Sequence, residues 1–279
     1  MKKILVPTDF SSTALDAFQY ALDWAREFNA SIHLIHLYSG SFDPNDALVV
    51  SPMEGRQEHV MRELDYFISS SGSEDSSEKP PVPLSRDAHL GFASDLLVDL
   101  SEDFDLIIMG ATGRSGIVEK VFGSVASYVS RHARCPVIMV PKGVAYKNIE
   151  NILYASDLKA IQEATIMKVI QLAEDINASV HFVHVARESE DLTPLKEKLF
   201  EEVLTKGRLT QEYYISTIID EDVVEGLGEY QKKNPVDLAV VVAQRRSFWD
   251  SILHKSITKR MALSPKNVPV MVLHLNDKV

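Results

Sequence analysis

This chain of 279 residues has one cysteine, no long apolar run, and fewer basic than acidic residues, 29 against 40. The one cysteine, Cys135, excludes a disulfide within the chain, which fits a reducing cytoplasm. It precedes Pro136 at the start of a predicted strand, so we interpret it as a buried, inert thiol. No stretch approaches the roughly 20 apolar residues of a membrane-spanning helix. We therefore expect a soluble, cytoplasmic protein that does not enter a membrane.

The charge balance and the missing motifs exclude further classes of function. The formal net charge of −11 argues against a surface that binds nucleic acid or an anionic membrane. The chain has no Gly-Lys dipeptide, which excludes a P-loop. No GxGxxG follows the first apolar run, which weakens the case for a Rossmann dinucleotide site. A nucleotide site in this chain would have to use a different loop.

Two histidine pairs, His33/His36 and His181/His184, do not predict a metal site. Residues three apart on a strand point to opposite faces of the sheet, so neither pair can share one ion. We expect these histidines to be packed in or beside a sheet, and we expect no metal ion as a resident ligand.

The sequence contains an internal repeat. KILVPTDF (3–10) matches NILYASDL (151–158), and FNASIHLIHL (28–37) matches INASVHFVHV (176–185), both at an offset of 148 residues. Two copies are too few for a solenoid, so each copy must be a complete domain. We predict one domain over residues 1–145 and a second over 146–279, joined near PKGVAYKN (141–148).

Within each copy, short apolar runs alternate with helical periodicity. In the first copy, KILVPT, SIHLIHLY, DLIIMG and PVIMVP predict strands, and the second copy has VDLAVVVA and VPVMVLHL late in its sequence. The first predicted helix spans residues 11–28 and is capped by Ser11 or Ser12. The pattern also implies a third strand in each copy, but it does not indicate which residues form that strand. Continuous Val/Ile/Leu strands between helices predict two doubly wound α/β domains with parallel sheets.

A glycine-rich loop, GATGRSGIVEKVFGS (110–124), joins the carboxyl end of one predicted strand to a helix. Ligands of open parallel sheets bind at such strand ends. Gly110 and Gly113 lack a Cβ atom, which permits sharp turns, φ > 0 conformations and close approach of a ligand. Gly123 and Ser124 stand where unpaired helix N–H groups and the helix dipole favour an anion, and the Ser124 hydroxyl adds a donor. The loop therefore predicts a phosphate-binding site.

The spacing G-x2-G-x9-G-[ST], together with the opening PTDFS, resembles the nucleotide-binding branch of the universal stress protein family. The resemblance covers essentially the whole chain as a tandem of two domains. It implies, for each domain, an adenine nucleotide alpha hydrolase-like fold with a five-stranded parallel sheet of order 3-2-1-4-5. It also implies that ATP lies between strands 1 and 4, and it leaves open whether Mg²⁺ accompanies the nucleotide. Pairing of the two fifth strands would make the chain a pseudo-dimer, and a further homodimer is left open.

The resemblance also implies roles for individual residues of the first domain. Asp9 would accept hydrogen bonds from adenine or ribose, although it could instead cap the first helix. Leu37 would face adenine, and Met109 would flank the ribose. Arg114 and Lys120 either neutralise phosphate charge or are ordinary solvated cations. The complete set implied to bind the nucleotide is Pro7, Thr8, Asp9, Leu37, Met109, Gly110, Gly113, Arg114, Gly123, Ser124 and Val125.

The second copy lacks most of this loop. Alignment through Asp105 and Asp237 places Val242, Arg245 and Lys255 where the first copy has glycine, and only Ser256 matches. These side chains add bulk where a phosphate should approach, and they resist φ > 0. We therefore predict one ATP site per chain, although the cationic residues of the second copy could hold a different anion.

These observations favour an ATP-binding stress-response protein whose nucleotide state alters contacts with an unidentified protein partner. One alternative is an enzyme that slowly hydrolyses ATP or transfers an adenylyl group. The sequence shows no obvious general base for such a reaction, and we assign no catalytic residue. A second alternative is an interaction module that binds no nucleotide; the intact glycines argue against it for the first copy.

Overall fold

The computed structural model describes residues 2–38, 53–72, 81–113, 122–155, 163–186, 211–243 and 268–274. The described residues up to Tyr146, Phe122 aside, form one compact unit, and those from Lys147 onward form a second. Arg114 and Lys120 of the first copy, and Arg245, Lys255 and Ser256 of the second, lie outside the described residues. The sequence predictions for these five side chains therefore stay predictions.

The first unit is a doubly wound α/β fold. Its elements are β1 (Lys3–Thr8), α1 (Ser12–Glu27), β2 (Ser31–Tyr38), α2 (Met53–Ser70), β3 (Leu84–Leu90), α3 (Ala93–Leu100), β4 (Leu106–Gly110), α4 (Ser124–His132) and β5 (Val137–Val140). All strand pairs are parallel, and the order is β3-β2-β1-β4-β5. The order 3-2-1-4-5 implied by the family resemblance is confirmed for this unit.

The second unit has the same sheet topology. Its described elements are β6 (Asn151–Ala155), α5 (Glu163–Ile176), β7 (Ser179–Ala186), β8 (Tyr213–Ile219), α6 (Val223–Lys233), β9 (Leu238–Ala243) and β10 (Val270–His274). Its strands are parallel in the order β10-β9-β6-β7-β8. Relative to its own first strand, β6, this is again the order 3-2-1-4-5.

The sheet of the first unit is covered on both faces, and this explains its apolar central strands. Leu5 of β1, Ile107 of β4 and Val137 of β5 are fully buried. Helices α1 and α2 share one face, where Phe18 and Phe67 pack with ring centroids 5.8 Å apart. Helices α3 and α4 contact each other on the opposite face. The connections from β1 to β3 run toward one edge of the sheet and those from β3 to β5 toward the other, so right-handed crossovers place their helices on opposite faces.

The helix ends follow from local sequence. Ser11 is the N-cap of α1, and its hydroxyl oxygen accepts a hydrogen bond from the Ala14 N–H at 3.2 Å. After α1 and after α5, Asn29 and Asn177 adopt left-handed torsions, with φ of 49° and 53°. Asparagine tolerates this conformation, which ends a helix by satisfying its last carbonyl groups. The repeated Asn-Ala therefore marks the same turn in both units.

The histidines of β2, His33 and His36, have specific partners. The Nδ1 atom of His33 forms a hydrogen bond of 2.8 Å with the Ser85 hydroxyl, whereas the Nδ1–H of His36 donates to the carbonyl oxygen of Thr8 at 2.7 Å. Within the described ranges, no three His, Cys, Asp or Glu side chains form a group that could hold a metal ion. Cys135 is buried. Among the described helices, none is both long and apolar enough to cross a bilayer.

Candidate functional site

A cleft with a volume of about 260 Å³ opens in the first unit at the carboxyl ends of β1 and β4, and we call it the β1–β4 cleft. The strand order reverses there, because β2 follows β1 to one side and β4 lies on the other. Ten of the eleven residues named from the sequence line it, and the eleventh, Arg114, lies outside the described residues. Its lining consists of Pro7, Thr8, Asp9, Ala14, Leu37, Ala93, Leu97, Met109, Gly110, Thr112, Gly113, Gly123, Ser124, Val125 and Ala126.

The turn after β1 fixes the position of Asp9. The buried Thr8 accepts a hydrogen bond from the Phe10 N–H at its hydroxyl oxygen, 3.0 Å away. Phe10 adopts a left-handed φ of 60°, which is uncommon for a bulky residue, and its ring stacks on His36 at 4.4 Å. The chain therefore turns sharply and places Asp9 in the lining of the cleft. No pattern in the sequence indicates this unusual torsion.

The Asp9 carboxylate is held within the site. Its Oδ1 accepts a hydrogen bond from the Ser11 N–H at 3.0 Å, while the helix cap itself is Ser11. The alternative role for Asp9, as the N-cap of α1, is therefore wrong. Its Oδ2 would lie only 2.8 Å from a Cβ atom built on Gly113. A side chain at Gly113 would displace this carboxylate, so glycine lets the carboxylate lie close to the backbone there.

The three motif glycines serve close approach rather than unusual torsions. Gly110, Gly113 and Gly123 do not adopt positive φ; the described glycines that do are Gly72 and Gly143. These three positions therefore do not use the φ > 0 conformations that glycine permits. A Cβ on Gly110 would lie 3.1 Å from the Thr13 carbonyl oxygen, so this glycine lets β4 pack against the start of α1.

The amino-terminal end of α4 provides the anion-binding character of the cleft. Gly123 is its N-cap and offers no side-chain cap, and the first turn carries no acidic residue. The residues that follow, Ser124, Val125 and Ala126, line the cleft. N–H groups in the first turn of a helix lack intrahelical partners, and the helix dipole adds partial positive charge there. This end of the cleft is therefore suited to phosphate.

Much of the remaining lining of the cleft is apolar. Leu37 of β2 and Met109 of β4 line it from the sheet, and Ala93 and Leu97 line it from α3. The two α3 residues are absent from the sequence motif, although the apolar stripe of that helix contains both. Asp9 is the one ionisable side chain among the described lining residues. The cleft thus combines an apolar pocket, one carboxylate and a row of backbone donors.

The second unit differs where it is described. Val185 occupies the position of Leu37, and it packs in an apolar cluster with Leu153, Val183 and Leu227. A Cβ atom on Gly226 of α6 would lie 2.8 Å from Val185, so α6 packs closely on the end of β7. The prediction that this unit lacks an ATP site rests mainly on residues outside the described ranges, and it stays a prediction.

Comparison with known proteins identifies relatives of both halves. The sequence model of the universal stress protein family matches residues 1–141. A universal stress protein of Methanocaldococcus jannaschii is 33% identical over 149 residues, which are 50% of this chain and 82% of that protein. One from Synechocystis sp. is 22% identical over 294 residues, covering 97% and 99% of the two chains. The crystal structure of a universal stress protein from Archaeoglobus fulgidus matches in fold, with a TM-score of 0.69, 17% identity and coverage of 98% and 96%.

Proposed function

Because the chain belongs to the universal stress protein family, we propose that its first unit binds ATP in the β1–β4 cleft. The observation that carries the proposal is the convergence of ten named residues, from separate parts of the sequence, on one cleft. Composition and periodicity do not require such convergence. It supports the residue roles that the motif implies.

Each part of ATP has a complementary surface in the cleft. The base fits the apolar side chains of Leu37 and Leu97, and the ribose fits beside Met109. The Asp9 carboxylate can accept hydrogen bonds from the exocyclic amine of adenine or from ribose hydroxyl groups. The triphosphate fits the N–H groups at the start of α4, where Gly113 and Gly123 leave the backbone accessible. No other described lining residue carries a charge that would oppose the phosphates.

The proposed role is that of a nucleotide-dependent interaction or regulatory module in a stress response. A ligand that binds one conformation better than another shifts the population toward it, and this can change contacts with a partner protein. Efficient phosphoryl transfer needs several positioned charge-stabilising groups. The described lining offers one ionisable side chain, which supports binding rather than rapid turnover.

Calorimetry with the full chain and ATP tests the proposal. We expect one equivalent of ATP to bind per chain. Titrations with and without EDTA then show whether Mg²⁺ contributes to the affinity for ATP. Denaturing the purified protein and identifying any released adenine nucleotide provides a second measurement. Accumulation of ADP after ATP and Mg²⁺ are added would favour the hydrolase. The absence of any bound or titratable nucleotide would contradict the proposal and favour the nucleotide-free interaction module.

A further inference from the structure

The large apolar side chain of Phe92 is exposed, and Phe92 stands beside the cleft lining in the sequence. Phe92 precedes Ala93, which lines the cleft, and 78% of its surface is accessible to solvent. Leaving a phenylalanine ring in water forfeits the stabilisation that its burial would bring. Single exposed apolar residues are common, so exposure alone assigns no role. Because Phe92 is bonded directly to the lining residue Ala93, it is a candidate contact for a ligand in the cleft.

Phe92 also occupies a position where another residue would stabilise the fold better. It is the N-cap of α3, with φ of −79° and ψ of 118°, and it makes no side-chain capping bond. Ser, Thr, Asp and Asn are preferred at this position because their oxygens accept a helix N–H. In the second unit, the residue before α6 is Asp222, which is only 2% exposed. The first unit thus has an exposed ring where its counterpart has a buried polar residue.

The backbone of this turn is anchored, while the ring is not enclosed. The Gly91 N–H donates to the carbonyl oxygen of Tyr38 at 3.0 Å, which ties the turn to the end of β2 next to Leu37. The carbonyl oxygen of Phe92 accepts from the Leu96 N–H at 3.1 Å. These two bonds hold the backbone of Phe92 between the end of β2 and the start of α3, while its exposed side chain can rotate about its own bonds.

We propose that Phe92 is a base-stacking residue, whose ring covers the outer face of a purine that lies against Leu37 and Leu97. The inference rests on the proposed ATP site and adds a residue that the family motif does not contain. Stacking of an aromatic side chain on a base is tolerant of sequence and geometry, because every base presents a π face. Its loss is expected to lower affinity for ATP roughly 5- to 150-fold.

The variant Phe92→Ser in the full chain separates this role from a structural one. Serine supplies the missing cap of α3, so we expect Tm to rise by about 2–4 °C while the affinity for ATP falls. The affinity for inorganic tripolyphosphate, which has no base, is expected to be unchanged. Phe92→Tyr keeps a ring at this position and is expected to retain the affinity of the original chain for ATP.

Tyr66→Ser is the matched control. Tyr66 has the same exposed fraction, 78%, and lies on α2, which packs on the other face of the sheet. We expect this variant to bind both ATP and tripolyphosphate like the original chain. An ATP affinity in Phe92→Ser within twofold of the original would overturn the inference, as would an equal loss of tripolyphosphate binding. If the original chain bound no ATP, the proposed function and this inference would both be wrong.

Discussion

Gly123 is a residue whose small size serves access rather than folding. Its torsions, φ of −67° and ψ of 162°, are available to any residue. A Cβ atom built there would lie 3.5 Å from the Gly113 backbone nitrogen, an ordinary contact distance. A side chain at this position would therefore be accommodated by the fold but would stand in front of the backbone donors of the cleft.

We expect Gly123→Val to weaken ATP binding by about tenfold or more, because at least one hydrogen bond to a charged phosphate is lost. The midpoint of urea unfolding should stay near that of the original chain. Calorimetry and urea titrations monitored by circular dichroism measure the two quantities. ATP affinity retained in this variant would contradict the placement of the phosphates.

Gly143→Ala is a control that should lower stability without changing the affinity for ATP, the opposite of the result expected for Gly123→Val. Gly143 has a φ of +76°, and a Cβ atom added to it would meet nothing within 4 Å, so strain rather than a clash limits substitution there. Adopting a left-handed conformation costs an alanine about 1–2 kcal/mol. We expect this variant to lose about that much free energy of unfolding and to keep its affinity for ATP.

At the scale of elements, strand β7 carries a group that makes stability depend on pH. His181 is buried, and burial lowers its pKa. The Tyr230 hydroxyl lies 2.9 Å from Nδ1, and Asn151 Oδ1 lies 3.3 Å from Nε2. Because that amide oxygen can only accept, Nε2–H donates to it, and in the neutral ring favoured by burial Nδ1 accepts from Tyr230. In the first unit, burial also lowers the pKa of His33, while Asp87 acts in the opposite direction.

Acidification below a pH of about 6.5 should therefore destabilise the protein. Below this pH the histidines of the unfolded chain bind protons more readily than the buried rings of the native chain. Their contribution to the free energy of unfolding is therefore complete above this pH and is lost below it. We expect the midpoint of urea unfolding to fall between pH 7.5 and pH 5.5. In His181→Gln the decrease in the urea midpoint between pH 7.5 and pH 5.5 should be smaller than in the original chain. This comparison does not depend on the stability of the variant at pH 7.5. An undiminished fall would show that His181 does not contribute.

The elements that could be predicted from sequence are those with a strong pattern. Buried strands β1 and β4 and the stripe of α1 can be located because apolar residues recur with the right period. The sequence implies the edge strands β3 and β8 but does not indicate their residue ranges. Both strands are largely exposed, and polar residues interrupt their apolar runs, as in LSRDAHL of β3. Edge position is a property of the assembled sheet, so local sequence does not report it.

The same distinction applies to the site. Residues in the glycine motif and at the end of β1 could be named because a chemical requirement fixes their identity. Ala93 and Leu97 line the cleft because α3 crosses the sheet there, and their apolar type alone suits any core. The left-handed torsion of Phe10 results from tertiary contacts, including the ring of His36. Such features follow from packing between distant segments.

At the scale of the whole molecule, the proposal of a single site predicts an unequal response of the two units. Hydrogen exchange of the full chain with saturating ATP should show added protection in peptides covering residues 3–14, 106–113 and 123–132. Peptides covering β6 and β9, which correspond to β1 and β4 in the second unit, should exchange at unchanged rates. Added protection of comparable size in both sets would contradict one site per chain.

The lining of the β1–β4 cleft comes from five segments that are separated in the chain and meet only when β1, β2 and β4 lie side by side. A nascent chain with helices but no paired sheet would have no place for the nucleotide. ATP should therefore engage after the rate-limiting step of folding, and it should slow unfolding without accelerating refolding. In stopped-flow experiments, we expect the unfolding limb alone to shift with ATP concentration; faster refolding would show that part of the cleft exists earlier.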